Sequence, residues 1–313
     1  MRGPPFPLRE RGSPGPLSGT SADGACAGRP ACRFAAAPPL GSAARALIAY
    51  NADVSRIGIF DSGVGGLTVQ GAILDALPGL ETVYLGDTAR VPYGTKSAEA
   101  VTHYSLNNAR FLARQGIEML VVACNTASAV ALPALREAFS IPVLGVVEPG
   151  ARAAVRESRS GRIGVIGTQG AISSGAYQVA LRALRPGAQV FARPCPLFVP
   201  LAEEGLTDPD DEVVRLVAER YLAPLREERV DTLVLGCTHY PLLRASIARA
   251  VPGVALVDSA SAIASAVQES FPAAAAGGPT EHRFFVTDTP ERFLAVAGRF
   301  LGRAVSAAVH VDV

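Results

Sequence analysis

The sequence predicts an α/β protein made of two similar halves, each a doubly wound parallel sheet with helices on both faces. Short aliphatic, β-branched runs alternate with stretches of helical period, which is the signature of parallel strands joined by crossover helices. Two of these runs, Met119-Leu120-Val121-Val122 and Thr232-Leu233-Val234-Leu235, lead into matching Cys-containing turns. Three landmarks also recur in order. Arg56-Ile57-Gly58-Ile59-Phe60 is echoed by Arg162-Ile163-Gly164-Val165-Ile166, Cys124 by Cys237, and 143–148 by 254–259. The separations Arg56 to Arg162, Cys124 to Cys237 and Glu148 to Asp258 are 106, 113 and 110 residues, nearly constant, as a duplicated half-protein requires.

At 313 residues and 49% hydrophobic, the chain can bury the cores of two ordinary domains. A net charge of +1 gives no electrostatic case for a nucleic-acid or membrane-surface partner. No apolar run reaches the roughly 18 to 20 residues of a membrane span. Five Cys in a chain of this length are too sparse for a disulfide scaffold and fit free thiols in a reducing, cytoplasmic compartment.

Residues 1–54 stand apart. Pro, Gly, Ala and Arg dominate, the only acidic residues are Glu10, Asp23 and Asp53, and no period of strand or helix is sustained. They read as a disordered or mis-assigned N-terminal extension, with an over-extended translation start as one explanation. A basic, acid-poor start also suits a transit segment, while the lack of a continuous apolar stretch argues against a secretory signal. Cys26 and Cys32 lie here without a second ligand pair and receive no role.

The folded part begins with the strand Arg56-Ile57-Gly58-Ile59-Phe60. The turn Asp61-Ser62-Gly63-Val64-Gly65-Gly66 follows, then a helix carrying Val69, Ile73, Leu74 and Leu77 up to Pro78-Gly79. The spacing matches neither a dinucleotide fingerprint nor a P-loop. The glycines are read as letting the backbone approach a small ligand, with helix N-terminal N–H groups facing an anion. Asp61 is either a turn cap or a site carboxylate. Thr82-Val83-Tyr84-Leu85 is a strand, and a loop through Asp87 and Tyr93-Gly94 leads to a helix opened by Ser97, with Glu99 in its first turn and its end near Gln115. Tyr93-Gly94 is a plausible ligand wall, an amphipathic ring beside accessible backbone. The Cys124 strand, a helix to Phe139, and a strand from Ile141 toward Glu148-Pro149-Gly150 complete the first half. The boundary is placed there: 55–149 plus 259–303 as the first domain, 150–258 as the second and 304–313 as a tail. A strand at 284–288 and a helix at 290–301 are expected to return to the first half, and 273–279 to form a surface loop.

Both Cys124 and Cys237 fall at the C-terminal tip of a strand, where open α/β sheets keep their ligands. Two thiols facing each other across a cleft suit a racemase. One group removes a Cα proton from one face while the other delivers a proton to the opposite face, and the roles exchange in the reverse direction. A thiolate needs a nearby cation or helix N-terminus, and His239 is placed to assist Cys237, with Asp61 the matching group for Cys124. Other readings remain open at this level. A Cys is often a small buried hydrophobe. A structural metal would want four ligands where two Cys and one His are offered, so no metal is assigned. A Cys/His hydrolase leaves the second Cys unexplained, and a two-lobed amino-acid-binding protein needs neither thiol. Cys195 has no partner cue and reads as structural.

Six segments resemble the signature segments of the glutamate racemase family, in that family's order and over residues 56–303. They are Asp61-Ser62-Gly63-Val64-Gly65-Gly66-Leu67-Thr68, Val91-Pro92-Tyr93-Gly94, Ala123-Cys124-Asn125-Thr126-Ala127, Glu148-Pro149-Gly150, the stretch from Cys195 to Glu203, and Gly236-Cys237-Thr238-His239-Tyr240-Pro241. Aspartate and hydantoin racemases share the two-Cys plan with less similar motifs. The resemblance implies two domains related by a pseudo-two-fold axis with glutamate between them. It implies Cys124 acting on D-glutamate and Cys237 on L-glutamate, assisted by Asp61, Glu203 and His239. Substrate would be bound by Asp61, Ser62, Tyr93, Gly94, Asn125, Thr126, Thr238 and His239. It further implies a homodimer and a D-glutamate product feeding peptidoglycan synthesis in a bacterial cytoplasm.

No cofactor is expected. Pyridoxal phosphate needs a lysine for its Schiff base, and Lys96 is the only lysine in the chain, at a helix start that reads as solvated surface. Stabilisation of the carbanion then falls to preorganised Ser, Asn and Thr donors at the strand tips.

Overall fold

A computed structural model describes residues 56–271 and 280–313. The N-terminal extension and the 273–279 loop of the sequence reading lie outside the described residues. Buried aliphatic runs make β1 (Arg56–Asp61), β2 (Glu81–Gly86), β3 (Met119–Val122) and β4 (Val143–Gly145). Between them run α1 (Leu67–Ala76), α2 (Ala98–Ala113), α3 (Asn125–Val130) and α4 (Leu132–Ala138). Ser97 caps α2 by accepting the Ala100 N–H at 3.2 Å, so the helix start read from the sequence is fixed by a side chain.

After α5 (Val147–Glu157) the pattern repeats with β5 (Arg162–Gly167), α6 (Gln169–Ser173), α7 (Ala176–Leu184), β6 (Gln189–Pro194), α8 (Phe198–Glu204), α9 (Glu212–Glu227), β7 (Thr232–Gly236), α10 (Arg244–Ala250) and β8 (Ala255–Asp258). The chain closes with α11 (Ser259–Ser270), β9 (His282–Val286), α12 (Pro290–Leu301) and β10 (Val309–His310).

The strands form two all-parallel sheets, ordered β10-β9-β2-β1-β3-β4 and β6-β5-β7-β8. The core of the first sheet, β2-β1-β3-β4, has the same order as the second, so the echoes in the sequence are echoes in topology. In each sheet the order reverses beside the first strand, and ligands of open α/β sheets collect at such a switch point. The Cys124 and Cys237 turns leave β3 and β7, the strands next to β1 and β5.

The helices after β4 and β8 change sides. Val147, Ala151 and Ala154 of α5 pack with Ile163, Val165, Tyr177 and Val234 of the second half. Ala260, Ile263, Ala264 and Val267 of α11 pack with Leu67, Ile73 and Leu74 of α1 in the first. This reciprocal exchange ties the two sheets together within one compact unit. Pro149 and Gly150, where the sequence reading sets its boundary, lie in the first turn of α5. The strand before it is shorter than read. Ser128 Oγ accepts the Val146 N–H at 3.1 Å and turns the chain into the helix at once. At the other end, β9 pairs with β2, and the residues read as a tail add β10, with the Val311 N–H donated to Val286 O at 2.9 Å.

Candidate active site

The Gly-rich turn after β1 folds around its own carboxylate. The Gly63 N–H donates to Asp61 Oδ2 at 3.0 Å, and the Ser62 and Gly66 N–H groups also favour the charged form. The N–H groups ahead of α1 thus already face the Asp61 carboxyl. Space, not backbone angle, requires the next two glycines. A Cβ on Gly65 would lie 2.3 Å from Thr238 Oγ1 and 2.5 Å from the His239 ring, and one on Gly66 would lie 2.5 Å from Asp61 Cβ. The bare backbone at Gly65 thus lets the second Cys turn dock against the first half, where Thr68 Oγ1 donates to Thr238 O at 2.9 Å.

Cys124 ends the bend from β3 into α3 and is 5% exposed. Its Sγ donates to Ser62 Oγ at 3.7 Å. Burial and the neighbouring Asp61 carboxylate push its pKa up to about 12, against the opposing pull of the Ala127 N–H and Ser62. Burial likewise raises the Asp61 carboxyl above the usual aspartate range, a shift partly offset by the positive charge of His239.

Cys237, also 5% exposed, sits in the equivalent bend after β7, with its sulfur 3.9 Å from His239 Nδ1. His239 Nε2 meets Glu203 Oε1 at 2.9 Å, and the ring stands edge-on to Phe300 of α12 at 5.1 Å between centroids. Burial alone would strip the proton from this imidazole. Hydrogen bonds to Cys237 and Glu203, with the charges of Cys237 and Asp61, outweigh burial and push its pKa up to about 10. The same bond to His239 holds the Glu203 carboxyl below its ordinary range. The two thiols thus have ionisable companions that differ in sign from each other, a carboxyl that disfavours a thiolate at Cys124 and an imidazolium that favours one at Cys237. All three cysteines among the described residues are free, and Cys237 is close enough to Cys124 for its charge to add to the rise there.

The remaining residues singled out in the sequence gather around this pair in different ways. Asn125 and Thr126 open α3 next to Cys124 and bridge to the second half, where Tyr177 Oη donates to Asn125 Oδ1 at 2.6 Å and Thr168 Oγ1 meets Thr126 Oγ1 at 2.8 Å, while Asn125 Nδ2 donates to Ser259 Oγ at the start of α11 at 3.3 Å. Thr238 Oγ1 lies 3.3 Å from His239 Nδ1. Tyr93 packs in the same core cluster as Cys124, but its hydroxyl is turned inward. It donates to Asp87 and accepts from Asn108 Nδ2 at 3.1 Å. The wall that the Tyr93-Gly94 pair offers is backbone, with Gly94 so close to Thr168 that a Cβ would lie 2.7 Å from it. Asp87, Tyr177 and Ser259 were not singled out in the sequence as side chains of the site. Tyr177 and Ser259 meet Asn125 across 52 and 134 residues of chain, which no local spacing signals. Cys195 is buried, and its thiol donates to Arg193 O at 3.7 Å.

A family profile described as Asp/Glu/hydantoin racemase matches residues 68–267. The glutamate racemase of Geobacter metallireducens is 57% identical over 251 residues, covering 79% of this chain and 92% of that protein. The chain belongs to the Asp/Glu/hydantoin racemase family. Among solved structures of the family, a glutamate racemase isoform from Bacillus anthracis superposes with a TM-score of 0.78 at 42% identity, covering 82% of this chain and 97% of that one. The Francisella tularensis glutamate racemase, solved in complex with D-glutamate, gives 0.75 at 34% identity, covering 83% and 97%. Both racemases have the two-sheet α/β architecture described above.

Proposed function

We propose that this chain interconverts L- and D-glutamate by proton transfer at Cα between two thiols, Cys124 and Cys237. One observation carries the reading: two free, buried thiols at equivalent strand tips, Cys124 within the field of the Asp61 carboxyl and Cys237 beside the His239 ring. A single nucleophile or a structural metal would leave one of the two arrangements without use. Glutamate is favoured over aspartate or a hydantoin because the Geobacter metallireducens relative at 57% identity and both structural neighbours are glutamate racemases.

Burial and the Asp61 carboxylate favour the protonated thiol at Cys124. It is the group ready to deliver a proton. Cys237 acts as the base, with the His239 imidazolium beside the sulfur to balance the charge of a thiolate and Glu203 holding the ring in place. This state accepts L-glutamate, Cys237 facing its Cα–H. After turnover the proton states are exchanged, and D-glutamate is the substrate for return. Asp61 manages the proton of Cys124 in that direction. The Ser62, Asn125, Thr126 and Thr238 side chains and the backbone at Tyr93-Gly94 surround the substrate's amino and carboxylate groups and stabilise the carbanion. We further propose that the protein is a cytoplasmic homodimer whose D-glutamate serves peptidoglycan synthesis. No helix among the described residues is long and apolar enough to cross a membrane.

The proton-transfer route needs no Schiff base. Lys96, the only lysine, is solvent-exposed at the end of the loop after Gly94. Lys96→Ala is therefore expected to keep kcat for glutamate racemisation within about twofold, and aminooxyacetate, which captures pyridoxal aldehydes, to leave the rate unchanged. Loss of activity in either measurement would overturn the cofactor-free reading.

A further inference from the structure

Among the described residues, Tyr177 is a buried side chain that touches both Cys turns and belongs to neither. It lies in the first turn of α7, has no solvent exposure, and is held between α5 and β7. Its hydroxyl donates to Asn125 Oδ1 at 2.6 Å, and Asn125 directly follows Cys124. Its ring lies against Gly236, which directly precedes Cys237. A Cβ on Gly236 would stand 3.1 Å from Tyr177 Cε2 and 2.7 Å from the Ile166 carbonyl. Gly150 of α5 leaves room for the same hydroxyl, since a Cβ there would lie 3.4 Å from Tyr177 Oη and 3.9 Å from Ser259 Cβ. The Glu148-Pro149-Gly150 segment, to which no chemistry is assigned, thereby finds a use in seating Tyr177.

We infer that Tyr177 is a positioning residue for racemisation, a rigid strut that sets the spacing between the two thiols by bonding to the residue after Cys124 while packing on the residue before Cys237. It rests on the two-thiol reading proposed above. The lever is geometric. The tyrosine ring has only two rotatable bonds and is packed on every side, so distance between its ring and hydroxyl is transmitted without slack. The hydroxyl also fixes which edge of the Asn125 amide is which. Oδ1 is taken by Tyr177 and one Nδ2–H by Ser259, which leaves one amide N–H uncommitted beside Cys124. Burial and the Cys237 sulfur keep the phenol above its ordinary pKa, so it stays a donor throughout turnover. Racemisation is sensitive to such a strut because both sulfurs must stand in line with one carbon at once. A misplacement on the order of 1 Å costs roughly a hundredfold in rate.

The test uses the full chain with Tyr177→Phe, which keeps the ring and removes the hydroxyl. L-glutamate and D-glutamate are each supplied in D2O, and inversion is measured together with deuterium appearing in substrate that has not inverted. The variant is expected to keep its thermal midpoint within a few degrees. It should lose about tenfold to a hundredfold in kcat/KM for both enantiomers, and should raise the ratio of exchange without inversion to inversion. The raised ratio is the signature of a carbanion formed by one thiol while the other is out of line, and a merely structural role would not move it. Ser259→Ala, which loosens the same amide from its other side, should shift the ratio in the same direction to a smaller extent, and it carries the test should Tyr177→Phe fail to fold. Wild-type protein that inverts glutamate, with both variants showing the wild-type ratio, would overturn the positioning role alone. Wild-type protein that inverts no glutamate would overturn the functional reading and the strut with it.

Discussion

Cys124→Ala and Cys237→Ala are each expected to abolish net inversion of glutamate, with kcat/KM falling at least about a thousandfold, within the range attributed to a positioned acid or base. The two variants should fail in different ways. With Cys124 gone, Cys237 still faces the Cα–H of L-glutamate, so L-glutamate slowly exchanges its α-proton with solvent while D-glutamate does not. With Cys237 gone, the pattern reverses. Both sulfurs are buried in small, well-packed bends, so the folded state should survive either change. NMR of the α-proton in D2O, run on each enantiomer with each variant, reads the result directly. Exchange of both enantiomers by one variant would remove the assignment of one thiol to each face.

His239→Asn carries the second large effect. The ring joins Cys237 to Glu203 through contacts of 3.9 Å and 2.9 Å and brings the only positive charge described beside either thiol. Its removal is expected to lower kcat/KM by about a hundredfold to a thousandfold. The loss must be equal in the two directions even though His239 touches only one thiol. Enantiomers have equal free energy, so their ratio of kcat/KM is fixed at unity, and an asymmetric lesion shows only in kcat and KM taken separately. The pH dependence follows from the shift of His239 from 6.5 to about 10. The folded state binds this proton more tightly than the unfolded chain. The associated stability is fully present below about pH 6.5 and is lost as pH rises through about 10. Thermal midpoints of the wild type should fall across that window more steeply than those of His239→Asn, and wild-type activity should fall as the imidazolium is lost near pH 10. Glu203→Gln keeps an acceptor for the ring but not its charge, so it should move this alkaline limb to lower pH. An alkaline limb left in place would mean that Glu203 does not support the charge of His239.

The contrast between what was and was not legible in the sequence has a physical basis. The duplicated sheet and both Cys turns could be read because their signals are local: a buried strand, a bend, a small-residue helix start, repeated at nearly constant spacing. The companions of the thiols were only partly local. His239 stands two residues from Cys237, and Asp61 ends a strand that neighbours β3. Glu203 lies 36 residues from its His239 partner, and only the family resemblance brought it into view. Tyr177 and Ser259 were missed because they reach Asn125 across 52 and 134 residues of chain. No periodicity says which far-off hydroxyl will meet an amide. The packing partners of α5 and α11 are not written in a local pattern either, although the sequence reading gives 150–258 to the second half and 259–303 to the first. An amphipathic stretch declares that a helix has a buried face, not which sheet will cover it. Strand β6 was also invisible. It is an edge strand with half-exposed residues, Gln189-Val190-Phe191-Ala192-Arg193-Pro194, and lacks the continuous apolar run of an interior parallel strand.

The most direct test of the central claim is to give the purified full chain L-glutamate and, separately, L-aspartate in D2O without pyridoxal phosphate, and to follow optical rotation and the α-proton signal together. The account predicts that glutamate alone inverts, that every D-glutamate formed carries solvent deuterium at Cα, and that the unreacted L-glutamate stays largely protonated early in the reaction. Inversion that retains the substrate's own proton, or turnover of aspartate with glutamate left untouched, would contradict it.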